Sequence, residues 1–163
     1  MIAGGMLLWG YVVEILLAAF LHGLLLLIVG LSPLATVVGN YWMALSAMAA
    51  MLFAAGIAAL IYVAQSFNSD FGKYMRYRKA DRHYLRAFEF QTLVFLLAGI
   101  LPVGTLFTSN RGFIHLVSLS FLYALVNGIS LVHNMVGLVS LNQKFQFDQA
   151  VVASPRDSEK NNG

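Results

Sequence analysis

The chain contains no cysteine, which excludes disulfide bridges, iron–sulfur clusters and thiolate zinc sites. Charge is scarce as well: Asp, Glu, Lys and Arg make up 10% of the 163 residues, where a soluble domain carries about a quarter. Only seven residues are acidic, and no HExxH, phosphate-cradling GxxxxGKS/T or Gly-x-Ser-x-Gly pattern occurs. Asp70, Asp81 and Glu89 stand among basic neighbours and Asp148, Asp157 and Glu159 in or near the tail, which leaves no carboxylate pair suited to glycoside chemistry. The chain is therefore read as a non-enzyme, and no cofactor is expected from it.

What is abundant is apolar surface, since 60% of the residues are hydrophobic and mean hydropathy is +0.76. The apolar residues fall into four runs, near Met6–Leu31, Val38–Ala64, Phe88–Phe107 and Phe113–Leu141, each about long enough to cross a bilayer. Lipid offers no water to satisfy backbone groups, so such runs must be helices. The expected fold is all-α, a bundle of four transmembrane helices spanning residues 1–147. The first run lacks a basic lead and a small-residue cleavage site, so it is read as a retained helix. From 148 to 163 polar residues replace apolar ones, which predicts a disordered tail.

Six of the ten Lys and Arg residues lie in one connector: Lys73, Arg76, Arg78, Lys79, Arg82 and Arg86. The other two short loops offer only Arg111. The positive-inside rule then places the 65–87 loop and both termini in the cytoplasm, with the chain in an inner (plasma) membrane of bacterial type. The connector interleaves its cations with Phe67, Phe71, Tyr74, Tyr77, Tyr84 and Phe88, a pattern suited to anionic lipid headgroups with the aromatic rings at headgroup level. A cytoplasmic protein partner is the other reading of that surface. Nucleic acid is not expected, because the cluster is short and its position is explained by topology.

Three further patterns concern contacts inside lipid. Gly30-Leu31-Ser32-Pro33-Leu34-Ala35-Thr36 and Gly99-Ile100-Leu101-Pro102-Val103-Gly104-Thr105 share Gly, Pro and Thr, consistent either with two duplicated helical hairpins or with two ordinary helix ends. In the second run Ser46, Ala50, Ala54 and Ala58 recur every four residues and predict a close-packed face turned into the bundle. In the fourth run Ser120, Tyr123, Asn127, Ser130 and Asn134 share one sector of a helix, so this polar row should face protein or a hydrated cavity rather than lipid.

Ionisable residues at membrane depth mark functional hypotheses. Counted from the centres of their runs, Glu14 and His133 lie roughly 7 Å and 9 Å to the cytoplasmic side, so they are expected at one level. With Asn127, Asn134, Ser130 and Tyr123 they make a candidate ion or proton path. His22 falls about 5 Å to the outer side, with no ionisable partner at its depth by the same count. It is a candidate for haem ligation or for an unassigned polar contact. Haem is disfavoured because no two of His22, His83, His115 and His133 share a level on this count.

These features give two expectations of function. The first is a non-enzymatic membrane subunit acting by helix–helix association, in a homo-oligomer or as an accessory of a larger complex. The second is an oligomeric ion- or proton-conducting channel or small transporter built on the polar row and Glu14. A haem-binding membrane anchor is a minor third.

Overall fold

A computed structural model describes the backbone of residues 2–66, 68–77, 81–108 and 110–160, and the side chains of 10–66, 68–77, 82–108 and 110–149. Among these residues the chain is all-helical: α1 (Ile2–Val29), α2 (Leu31–Asn40), α3 (Trp42–Ser66), α4 (Asp70–Tyr77), α5 (Asp81–Ile100), a 3₁₀ segment (Leu101–Leu106) and α6 (Arg111–Lys160). Four helical stretches are long and apolar enough to cross a membrane: Gly10–Val29, Trp42–Ser66, Arg82–Leu106 and Arg111–Gln149. Their outer faces carry large apolar side chains in open view, such as Leu27 at 84% exposed and Met51 at 74%. A water-soluble monomer rarely exposes such a continuous surface, whereas lipid covers it without cost.

The bundle is organised by buried rows that repeat every seven residues. On α3 the row is Ala49, Gly56 and Val63; on α5 it is Phe88 and Phe95, continued by Pro102 in the 3₁₀ segment; on α6 it is Val117, Ala124, Leu131 and Leu138. A seven-residue repeat keeps one seam facing its neighbour when helices cross at about 20°, as in left-handed coiled coils. Small residues on α3 meet large ones on α5. A Cβ on Gly56 would stand 2.6 Å from Thr92 Oγ1, and one on Gly99 would stand 3.6 Å from Ala49 Cβ. Close backbone approach of this kind drives helix association where burial against lipid gains little. α1 is the peripheral member: it packs mainly along α6, and Ala18 is its one buried apolar residue among those described.

The row used inside the chain is thus Ser46, Ala49, Gly56 and Ala59, and the expectation that Ala50, Ala54 and Ala58 face the bundle is corrected. Those three are exposed, while Ser46 alone of the expected row turns toward α5. At about 100° per residue they sit roughly 100–180° around the helix from Ala49 of the buried row, on its far side. Repetition of alanine marks a face that can pack without fixing which neighbour it meets.

The connections differ from the expected run boundaries for local reasons. Gly30 turns the chain with φ 82°, a conformation open to glycine, and its N–H still donates to Leu26 O at 3.0 Å. Pro33 then sits in the first turn of α2, where its missing N–H costs nothing. At ten residues, α2 is about 15 Å long and too short to span; it lays Leu34 and Val38 onto Ile114 and Val117 at the end of the bundle. Val38 therefore belongs to this cap, and the second span begins at Trp42. The two Gly-Pro-Thr segments lie at the same end but differ locally, one opening an α-helix after a left-handed glycine and the other forming 3₁₀ structure.

At the opposite, basic end Ser69 caps α4: its Oγ accepts from Gly72 N–H at 3.2 Å. Phe71 and Met75 are buried beside Phe88 and Leu138, with Tyr74, Leu141 and Phe145 packed against them. Phe71 and Phe88 are thus core residues, which corrects the expectation that they lie among headgroups; Tyr77 is exposed at 86%. The cause is the length of α6, which carries Leu138, Leu141 and Phe145 past the other spans and offers α4 a second apolar surface. α6 is helical through Lys160, beyond position 148 where the sequence predicts a disordered tail.

Candidate functional site

The polar residues gather where α1 lies against α6, in two clusters at different depths. The cluster nearer the basic end centres on Glu14, on the fourth turn of α1. Ser130 Oγ donates to Glu14 Oε1, while Oε2 is buried with no hydrogen-bond partner among the described residues. Around this carboxyl a cavity of about 400 Å³ opens between three helices. Gly10, Tyr11 and Glu14 line it from α1, Ala87 and Gln91 from α5, and Ile129, Ser130, His133 and Asn134 from α6. The Tyr11 ring is held by Phe90, with centroids 4.5 Å apart.

Glu14 and His133 thus share a cavity, as expected from their depths, but the hydrogen bond goes to Ser130, one turn earlier on α6. Asn134 lines the same space. Asn127 is fully buried and its Nδ2 donates along its own helix to Tyr123 O at 3.0 Å, leaving Oδ1 without a partner. Tyr123 OH is likewise buried, one turn before Asn127. The polar row does face inward, yet of its members only Ser130 makes a side-chain bond to another helix among the described residues.

The second cluster corrects the reading of His22. Its Nε2 lies 3.1 Å from His115 Nδ1 and its Nδ1 lies 3.2 Å from Ser118 Oγ. The rings meet edge to face, centroids 5.3 Å apart. His22 therefore has an ionisable partner at its own depth. The expectation failed because it measured depth from the centres of hydropathy runs with upright helices. Between the His22–Ser118 and Glu14–Ser130 contacts α1 advances eight residues and α6 twelve, roughly 12 Å against 18 Å, so the two helices are inclined. Haem fits this pair poorly for a geometric reason. With metal–nitrogen bonds of about 2 Å, axial nitrogens on opposite faces of an iron stand about 4 Å apart with a macrocycle between them, and these two touch directly.

Ala18, 1% exposed, lies between the clusters on α1, while Tyr123 and the buried Asn127 of the polar row lie between them on α6. The α1 side of the seam is therefore apolar between the clusters, whereas the α6 side stays polar. Gln91 is the site residue that sequence reading missed. It is 1% exposed, lines the cavity, and its Oε1 has no partner. An amide inside an apolar span was the available signal.

The basic connector forms a separate surface. Lys73 pairs with Asp70 at 2.8 Å, and the ammonium holds that exposed carboxyl below the usual carboxylate range. Arg76, Arg82 and Arg86 are exposed; Arg78 and Lys79 lie outside the described residues. No group of three or more metal-ligating side chains occurs among the described residues. Neither a protein-family model, nor a curated protein, nor a solved structure matches this chain. By length and composition the fold is that of a helical protein with four stretches able to cross a membrane.

Proposed function

We propose that the chain is a non-enzymatic membrane subunit that works by helix–helix association, in a homo-oligomer or a larger membrane complex. The observation that carries this reading is the exposed face of α3. Ala47, Ala50, Ala54 and Ala58 stand open on a helix whose opposite face already packs on α5. In lipid, small residues four apart let a second backbone approach closely, and a single chain leaves this row without a partner. The basic end, with both termini, lies on the cytoplasmic side of a bacterial-type plasma membrane, where Arg76, Arg82 and Arg86 meet anionic headgroups. The test is the mass of the intact assembly in mild detergent, for the native chain and for Ala54→Phe. The reading expects an oligomer that Ala54→Phe dissociates; a monomeric native chain defeats it.

The α1–α6 seam favours a second reading, proton or ion conduction. Glu14 with Ser130 and His22 with His115 and Ser118 occupy one interface, and the buried Tyr123 hydroxyl and Asn127 stand between them on α6. Under this reading purified chain in liposomes supports flux that Glu14→Gln reduces with oligomer mass unchanged. Silent liposomes dismiss it.

A further inference from the structure

The cavity at Glu14 holds two buried acceptors that no donor among the described residues reaches. Its two buried, unpartnered polar atoms, Glu14 Oε2 and Gln91 Oε1, are both oxygens that accept. A buried acceptor left without a donor keeps its full desolvation penalty, and a charged one a larger penalty still. Among the described residues no Lys or Arg lines the space, and His133, which does, forms no ion pair with Glu14. Among the described residues an ionised Glu14 therefore has no cation beside it, the costliest state for a carboxylate away from water.

We propose that this cavity binds a primary ammonium group, which donates to Glu14 Oε2 and Gln91 Oε1 and neutralises the carboxylate. Three hydrogens on one nitrogen serve both unpaired oxygens at once, and Tyr11 contributes an aromatic ring to the lining. The volume of about 400 Å³ is in the range of small-molecule sites, roughly 300–1,000 Å³, and exceeds what a bare metal ion fills. A quaternary ammonium has no N–H and leaves both oxygens unpaired. Ile129 and His133, exposed at the rim, open the cavity sideways within the basic-end half of the bundle. The ammonium can therefore come from a lipid headgroup or from a free amine.

The test uses the full chain in detergent with two pairs of probes. Native mass spectrometry compares retention of phosphatidylethanolamine and phosphatidylcholine of identical acyl chains. Thermal unfolding compares n-butylammonium, tetramethylammonium and sodium chlorides at equal ionic strength. The proposal expects phosphatidylethanolamine to be retained over phosphatidylcholine, or butylammonium alone to raise the unfolding midpoint. The first outcome identifies a lipid source and the second a free amine. Glu14→Gln and, separately, Gln91→Met weaken that response roughly tenfold or more, while His22→Ala, in the other cluster, leaves it intact. Equal response to the quaternary probes, an equal response to sodium, no response to any probe, or full response in Gln91→Met overturns the proposal. None of these outcomes depends on the oligomer mass that tests the subunit reading.

Discussion

Replacing Gly56 with alanine puts a methyl carbon 2.6 Å from Thr92 Oγ1 and 3.3 Å from both Cα and Cβ of Thr92. The hydroxyl cannot swing away freely, because it donates to Phe88 O at 2.7 Å on its own helix. The backbone contact remains even if it does, so α3 and α5 must separate along the tightest part of their seam. Overpacking of this kind costs about 1–3 kcal/mol. Alanine gains about 0.5–1 kcal/mol over glycine in a helix interior, so the net loss is smaller than the clash. The clash is isolated by comparison with Gly23→Ala in α1, where nothing lies within 4 Å of the added methyl. That control should be neutral or stabilising by about 0.5–1 kcal/mol, so the two variants should differ by about 1–3 kcal/mol. Thr92→Ala in the Gly56→Ala background removes the 2.6 Å contact and leaves those at 3.3 Å, so it should restore part of the loss. The assay is equilibrium unfolding in mixed micelles with increasing denaturing detergent, followed by circular dichroism. Equal stability of Gly56→Ala and Gly23→Ala, or no rescue by Thr92→Ala, would refute the packing of α3 on α5.

Other consequences are as direct. Phe71→Ala removes a ring buried to 1% exposure beside Tyr74 and Phe145; a loss of about 3–5 kcal/mol should release α4, seen as faster proteolysis and hydrogen exchange at 70–77 with the spans intact. Asn127→Leu substitutes a similar volume for a side chain whose hydrogen bonding among the described residues stays within its own helix. Since it abolishes the penalty on the unpaired Oδ1, about 1–3 kcal/mol, the unfolding midpoint should stay or rise; a marked fall would mean that Oδ1 has a partner.

The four long helices could be read from sequence because lipid turns hydrophobic length itself into structure. α2 was not visible, since its residues continue an apolar pattern and only the left-handed turn at Gly30 separates it from α1. Packing phase was equally hidden. Ala50, Ala54 and Ala58 advertise smallness, but Gly56 and Gly99 decide the contact, because they meet Thr92 and Ala49. Glu14 was legible as a buried carboxyl against the polar row of α6, to within one turn of its true partner. His22 was misplaced because hydropathy gives a midpoint for each run but no tilt, and α6 extends well beyond any bilayer. Gln91 carried no motif, and its importance appears only once α5 brings it beside Glu14.

The absence of cysteine allows sidedness to be mapped cleanly. Single cysteines at Asn68, beside α4, and Thr108, before α6, would each be the protein's only thiol, and both positions are exposed. In intact cells a membrane-impermeant maleimide should label Thr108→Cys at once and Asn68→Cys only after permeabilisation. Labelling of both from the same side would contradict a chain that crosses the membrane four times with its basic end inward.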